Sequence, residues 1–282
     1  MIVDGIDSLK LTRLLSDMVA NDDDALQRSN LISIAKCIDE LQIRLDQTKN
    51  IVVFASPKSA STFLARNLQT ILGFKWHPLT FSYFENEHDL HLPYLVTAQR
   101  DNTVTQVHAR ATDVNIKLIE IFKLTPIVLI RDIFDSIISY YDHVHRIRSK
   151  IPHAYIDGQF FSLDEKTKLD FFVELVAPWF VNFFVSWFRA ESNFGRPIHW
   201  ITFEEVIHQP EETIVKVLDA HEVPVDRALV SDVLLNADVV ALGKNKGVQG
   251  RGRQLLSASQ VEKITQLSRF YPDIDFSLLG IK

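Results

Sequence analysis

From residue 50 onward the chain alternates between two hydrophobic patterns, and that alternation predicts an α/β fold. Residues 50–56 (NIVVFAS) form a short, unbroken apolar run rich in β-branched side chains, the pattern of a strand buried on both faces of a parallel sheet. Helical spacing follows over 60–72, with Gly73 placed as a stop. A strand is expected at 104–108, a helix at 112–123, a second buried strand at 126–130 (PIVLI) and a helix at 132–148. Residues 149–164 hold Pro152 and Gly158 and read as a long loop of the kind that often carries function. An aromatic helical stretch comes next, then a strand at 198–203 and a helix opening near Pro210. Residues 243–253 (GKNKGVQGRGR) read as a flexible basic loop, and Ser257 with Gln260 gives a capping box for a last helix. Strands alternating with helices imply one domain with a central parallel sheet flanked by helices. Residues 1–48 read as a helical extension, with Leu31, Ile34, Ala35, Ile38, Leu41 and Leu45 at helical spacing; residues 49–282 make the domain.

Composition narrows the function. The 282 residues carry 30 Lys+Arg against 36 Asp+Glu, a net charge of −6, so a broad nucleic-acid face is not expected, while a local basic site is allowed. The single cysteine, Cys37, leaves no intrachain disulfide and no cysteine-rich metal site. The apolar stretch 171–188 contains Glu174, Pro178 and Asn182, which argues against a membrane span. No signal peptide is visible, and a soluble cytoplasmic protein is the expectation.

The strongest chemical signal is Ser56-Pro57-Lys58-Ser59-Ala60-Ser61-Thr62-Phe63, which leaves a buried strand and runs into a helix. Unpartnered N–H groups and the positive end of the helix dipole favour an anion there; Lys58 adds a full charge, and Ser59, Ser61 and Thr62 add hydroxyl donors. It is not a Walker A loop: the lysine leads and glycine is absent. Arg131 ends the second buried strand, where ligands bind in open α/β sheets. Ser139 follows eight residues later on the same side of the next helix. An arginine fork with a hydroxyl suits a phosphate dianion. A third basic element is Asn245-Lys246-Gly247-Val248-Gln249-Gly250-Arg251-Gly252-Arg253.

Taken in order, these pieces resemble the PAPS-dependent sulfotransferase family, PAPS being 3′-phosphoadenosine 5′-phosphosulfate. PKSASTF is similar to the family's 5′-phosphosulfate loop P-K-S-G-T-T-W. Arg131, Asp135, Ser139, Tyr140 and Tyr141 are in register with its 3′-phosphate motif R-x-x-x-D-x-x-x-S-Y-Y. Lys246-Gly247 with Gly250 resembles R-K-G-x-x-G, Trp179-Phe180 with Trp187-Phe188 resembles its aromatic helix, and Phe203-Glu204-Glu205 before Pro210 resembles Y-E-D-x-x-x-x-P. Ala60 replaces glycine, Phe63 replaces the adenine-stacking tryptophan, and Asn245 replaces arginine. Residues 1–48 have no counterpart, which leaves open a cap over the acceptor site or a homodimer contact.

The resemblance implies a P-loop-like sulfotransferase fold. Binding of PAPS and its product PAP would fall to Lys58, Ser59, Ala60, Ser61, Thr62, Phe63, Arg131, Ser139, Phe203, Asn245, Lys246 and Gly247. In-line transfer would go to a hydroxyl or amine of a small soluble acceptor, a natural product being one class. Lys58 would stand on the leaving oxygen, Ser139 would restrain Lys58, and His108, similar to the family's K-x-H-L-P histidine, would be the general base. Gln106 stands where that motif has lysine. No metal is called for. Two rival readings are a small-molecule kinase, which would need a Walker lysine and a Mg²⁺ ligand, and a non-catalytic PAP-binding protein. Among the other histidines, His143 and His145 fall on different helix faces. His88 and His91 read as a solvated acidic loop or part of an acceptor pocket. Glu85, Glu87 and Asp89 point weakly to a cationic acceptor.

Overall fold

The structure, a computed structural model, describes residues 44–81, 87–148, 151–192, 194, 197–236 and 249–282. The expected helix over 1–48 lies outside them except for 44–47, which are helical. Cys37, Glu85, Asn245, Lys246 and Gly247 also fall outside.

Four parallel strands form one sheet in the order β2-β1-β3-β4, with β1 Asn50–Ala55, β2 Thr103–Val107, β3 Pro126–Ile130 and β4 His199–Thr202. Helices connect the strands and follow the last one: α1 Ser61–Leu72 and α2 Leu92–Ala98 after β1, α3 Asp113–Ile121 after β2, α4 Ile133–Ile147, α5 Glu165–Phe171 and α6 Ala177–Glu191 after β3, and α7 Phe203–His208, α8 Pro210–Ala220, α9 Arg227–Leu235, α10 Arg251–Leu255 and α11 Ala258–Thr265 after β4. Alternate strand residues feed two cores. Ile51, Val53, Ala55, Ile127 and Leu129 pack on one face with Leu64 and Leu68 of α1, Ile214 and Val217 of α8, and Val230 of α9. Val52, Phe54, Val128 and Ile130 pack on the other with Ile137 of α4 and the aromatic rings of α6. Burial on both faces is why these strands read as continuous apolar runs.

The run Glu165–Glu191 is long and apolar enough to cross a membrane, but 61% of its apolar window is buried inside the fold. It is interrupted at Phe172–Val176 by a π-helical turn. Pro178 has no N–H for the carbonyl one turn before it, and the Ala177 N–H reaches back to the Phe172 carbonyl instead. The expected loop at 243–253 needs correction over its described part. Arg251–Leu255 is helical, and Gly252 lets it press against α4: a Cβ there would lie 2.2 Å from the Phe134 carbonyl carbon. The capping box of Ser257 and Gln260 is present, and a second one, Thr202 with Glu205, opens α7.

Candidate active site

Parallel strands bring their carboxyl ends to one edge, and here each of the four delivers a residue singled out in the sequence. His108 follows β2, the Ser56–Ala60 loop follows β1, Arg131 follows β3 and Phe203 follows β4. The spatial order is that of the sheet.

The loop after β1 is closed by its own atoms. The Ser59 hydroxyl donates to the Ser56 carbonyl at 2.6 Å, and the Ser56 N–H donates to the Leu129 carbonyl of β3 at 2.9 Å. Lys58 and Ala60 adopt left-handed backbone, with φ of 67° and 70°, a conformation that disfavours a Cβ. Ala60 is also the N-cap of α1 and supplies no side-chain cap. The N–H groups of the first turn therefore have no intrahelical partner and face the loop. Of the three hydroxyls expected as donors, two turn inward. Ser59 serves the turn, and Ser61 donates to Gln106 Oε1 on β2. Gln106 Nε2 donates to Thr62 Oγ1 at 3.2 Å, which leaves the Thr62 O–H as a donor. Gln106 thus uses both ends of its amide to tie β2 to the start of α1. Phe63 is half-buried against the α1 side of the sheet.

Arg131 is buried, donates from Nη1 to the Lys58 carbonyl at 3.0 Å, and lies 3.9 Å above the centre of the Phe203 ring. Phe203 therefore props the guanidinium. Asp135, one turn into α4, lies 3.9 Å from Arg131 Nη2 and accepts from the N–H groups of Gly250 and Gly252 at 2.8 and 2.6 Å. Two charge-assisted bonds of this kind, each about 1.5–3 kcal/mol, hold the start of α10 against α4. Arg251 adds an ion pair with Asp142 at 2.5 Å. Ser139 is buried one turn beyond Asp135 on the same helix. Of the third basic element, Asn245, Lys246 and Gly247 lie outside the described residues.

Lys58 has neighbours the sequence did not announce. Burial, with Arg146 and Arg131 beside it, pushes its ammonium down to about 8. Burial, with Lys58 and Arg146, pushes His143 down to about 4. Ser139, His143 and Arg146 stand at intervals of four and three residues on α4, one face of a helix. That spacing is readable in the sequence. His145, as expected, is on another face and bonds the Tyr141 carbonyl.

His108 sits just past β2. Its Nδ1 bonds the Ala55 carbonyl at 2.8 Å, so Nδ1 carries the proton and the lone pair is on Nε2. Burial, with His88 and Lys58 nearby, pushes its pKa down to about 3, so the ring is neutral. Of the two expectations for His88, the solvated loop needs correction and the place beside a pocket stays open, for the ring is buried: it accepts the His108 backbone N–H at 2.9 Å and stacks on its ring at 5.2 Å. From the long loop, His153 bonds the Tyr140 hydroxyl at 2.8 Å and packs on Trp179 at 4.1 Å. Burial, with His108 and His88, holds His153 well below its usual range. Trp179 donates to Glu87, which also pairs with Arg110 at 3.6 Å, and Asp89 accepts from Asn115 at 3.1 Å. Both carboxylates thus already bond protein groups. Among the described residues no group of three or more metal-ligating side chains assembles.

No family model matches the sequence, and neither does any curated protein. Solved structures do match. Mouse sulfotransferase SULT7A1 complexed with PAP superposes with a TM-score of 0.58 at 15% identity, over 86% of this chain and 92% of that one. The chain has the sulfotransferase fold. A retinol dehydratase in a complex with retinol and PAP matches with a TM-score of 0.54 at 11% identity, over 80% and 82% of the two chains. On this sulfotransferase fold the described candidates gather along one edge of the sheet, with Lys58 between Arg131 on one side and His108 on the other.

Proposed function

We propose that the protein is a PAPS-dependent sulfotransferase that moves the sulfuryl group to a hydroxyl or amine nitrogen of a small soluble acceptor. The observation that carries this reading is a cluster of two cations, Lys58 and Arg131, joined through the Lys58 carbonyl, with the Lys58 ammonium lowered first by burial and then by the guanidiniums beside it, standing beside a neutral histidine with its proton on Nδ1. Such a cluster fits a polyanion: a bound phosphate replaces repulsion with attraction. The two phosphate-bearing ends of PAPS match its two parts. The first-turn N–H groups of α1, with Thr62 and Lys58, would take the 5′-phosphosulfate. Arg131 and Ser139, with Asn245, Lys246 and Gly247, would take the 3′-phosphate, and Phe63 would stack on the adenine.

PAPS supplies an activated sulfuryl group. The chain's residues then have three tasks. His108 Nε2 accepts the acceptor's proton as its oxygen or nitrogen bonds to sulfur. Lys58 donates to the bridging oxygen as the sulfur–oxygen bond to PAP breaks, where negative charge develops. Ser139 restrains Lys58 until the acceptor arrives. The loop after β1 lacks a Walker lysine, which disfavours a kinase.

The test is an acceptor screen with isotopically labelled PAPS read by mass spectrometry. Gain of one labelled sulfuryl group by an acceptor is expected. Tight PAP binding with no transfer to any acceptor would instead make the protein a nucleotide sensor, and Mg²⁺-dependent ATP turnover would make it a kinase.

A further inference from the structure

We infer, on the basis of the proposed sulfuryl transfer, that the acceptor is itself an anion whose acidic group is held by Arg146 and His143 at the far end of α4. Three arginines around this cleft have carboxylate partners: Arg131 faces Asp135, Arg251 pairs with Asp142, and Arg110 pairs with Glu87. Arg146 has none among the described residues. It donates instead to a neutral ring, His143 Nδ1, at 3.3 Å, and stands exposed beside Lys58.

The position of this pair assigns it to the acceptor. Arg131 and Asp135 mark the nucleotide end of α4. Arg146 lies seven residues past Ser139, about 10 Å further along the axis, on the same face. The rings there lead back towards the proton acceptor: His143 stacks on Tyr140 at 6.4 Å, Tyr140 bonds His153, and His153 lies within electrostatic reach of His108. An anion at Arg146 would thus sit across Lys58 from the 3′-phosphate, with its nucleophile directed towards His108. Phosphate, sulfate and carboxylate share the chemistry that a guanidinium fork reads. A cationic acceptor is the poorer fit, since Glu87 and Asp89 already bond Trp179, Arg110 and Asn115. Burial, and then the Lys58 and Arg146 cations beside it, lower the His143 pKa.

Three phenols that share a ring and differ at the chain terminus separate the alternatives: 3-(4-hydroxyphenyl)propanoate, 4-ethylphenol and tyramine. Each is titrated calorimetrically into the full chain saturated with PAP, and into Arg146→Gln. The propanoate should bind at least tenfold more tightly than either partner, and the variant should erase that preference while retaining PAP. Equal binding of the three, including no binding of any, overturns the inference, as does a preference that survives in Arg146→Gln. Failure of PAP to bind in the first step would overturn the nucleotide reading and this inference with it; failure at the second step overturns only the anionic acceptor.

Discussion

The two halves of the cleft are built on different principles. Around Lys58 and Arg131 the parts are backbone and full charges: a loop closed by Ser59, the start of α1, and a guanidinium propped on Phe203. Around His108 the parts are rings: His88 stacks on it, and Tyr140, His153 and Trp179 pack on one another, with burial holding His153 well below its ordinary range. The first half holds charge in place. The second removes water, keeps a proton acceptor unprotonated, and fixes its tautomer through the Ala55 carbonyl. In the proposed reaction the nucleotide requires the first and the proton transfer the second, so binding and turnover should separate under mutation.

The largest separation is expected at His108. His108→Ala should lower kcat by about 10²–10⁴ and leave PAP affinity nearly unchanged, as read by an assay and a titration on one preparation. Lys58→Ala should lower both. Near-wild-type turnover in His108→Ala would dissolve the distinction between the halves.

Next in size is the clasp behind the charged half. In Gly252→Ala the new methyl would meet backbone atoms of Phe134 and Asp135 within 2.5 Å, and overpacking of this kind costs about 1–3 kcal/mol. A lowered melting temperature together with weakened PAP binding is expected, since the glycine-rich segment leads into α10. An unchanged melting temperature would mean that α10 is not pressed on α4.

A pH experiment sharpens the same contrast. With its pKa near 8 in the free protein, Lys58 is raised when an anion binds, because the complex favours the charged form. PAP affinity should be flat between about pH 7 and 8. It should then fall as pH rises, by up to tenfold per unit until the liganded pKa is reached. At pH 8 binding should take up a fraction of a proton, measurable as a buffer-dependent heat. His108, held near 3, should add no acidic limb to turnover between pH 5 and 7. An acidic limb near 6.5 would show that its ring is not held neutral.

The smallest effect belongs to Ala60. Its φ of 70° suits glycine, so Ala60→Gly should raise stability by about 0.5–1 kcal/mol, seen as a slightly higher denaturation midpoint. A loss of stability would place the strain elsewhere in the loop.

The charged half was largely legible in the sequence because it is local. A buried strand, a lysine-led loop and a helix are consecutive, and Arg131 with Ser139 lie on one strand–helix unit. The strands were legible for a related reason, since burial on both faces leaves an unbroken apolar run. Of the ring half, His108 was legible through its resemblance to a family motif, but the assembly around it was not. His88, His108, His153 and Trp179 come from four separate stretches and meet only through the fold, and none carries a spacing that would announce the others. The helix at Arg251–Leu255 is hidden in the sequence for the same reason. Its glycines and arginines suggest a loop, and its first turn is held by Asp135, more than a hundred residues earlier. Arg146 is the local exception: its helical spacing from Ser139 is visible in the sequence, but only the fold brings Lys58 beside it.

The claim on which the rest depends is that the cations around Lys58 and Arg131 are matched to a nucleotide with a phosphate at each end. Calorimetric titration with PAP and with AMP, which lacks the 3′-phosphate, tests it most directly. Loss of a buried charge-assisted partner costs about 2–5 kcal/mol, so PAP should bind roughly 30- to 5,000-fold more tightly than AMP; equal affinities would contradict the assignment of Arg131 and Ser139 and the proposed donor with it.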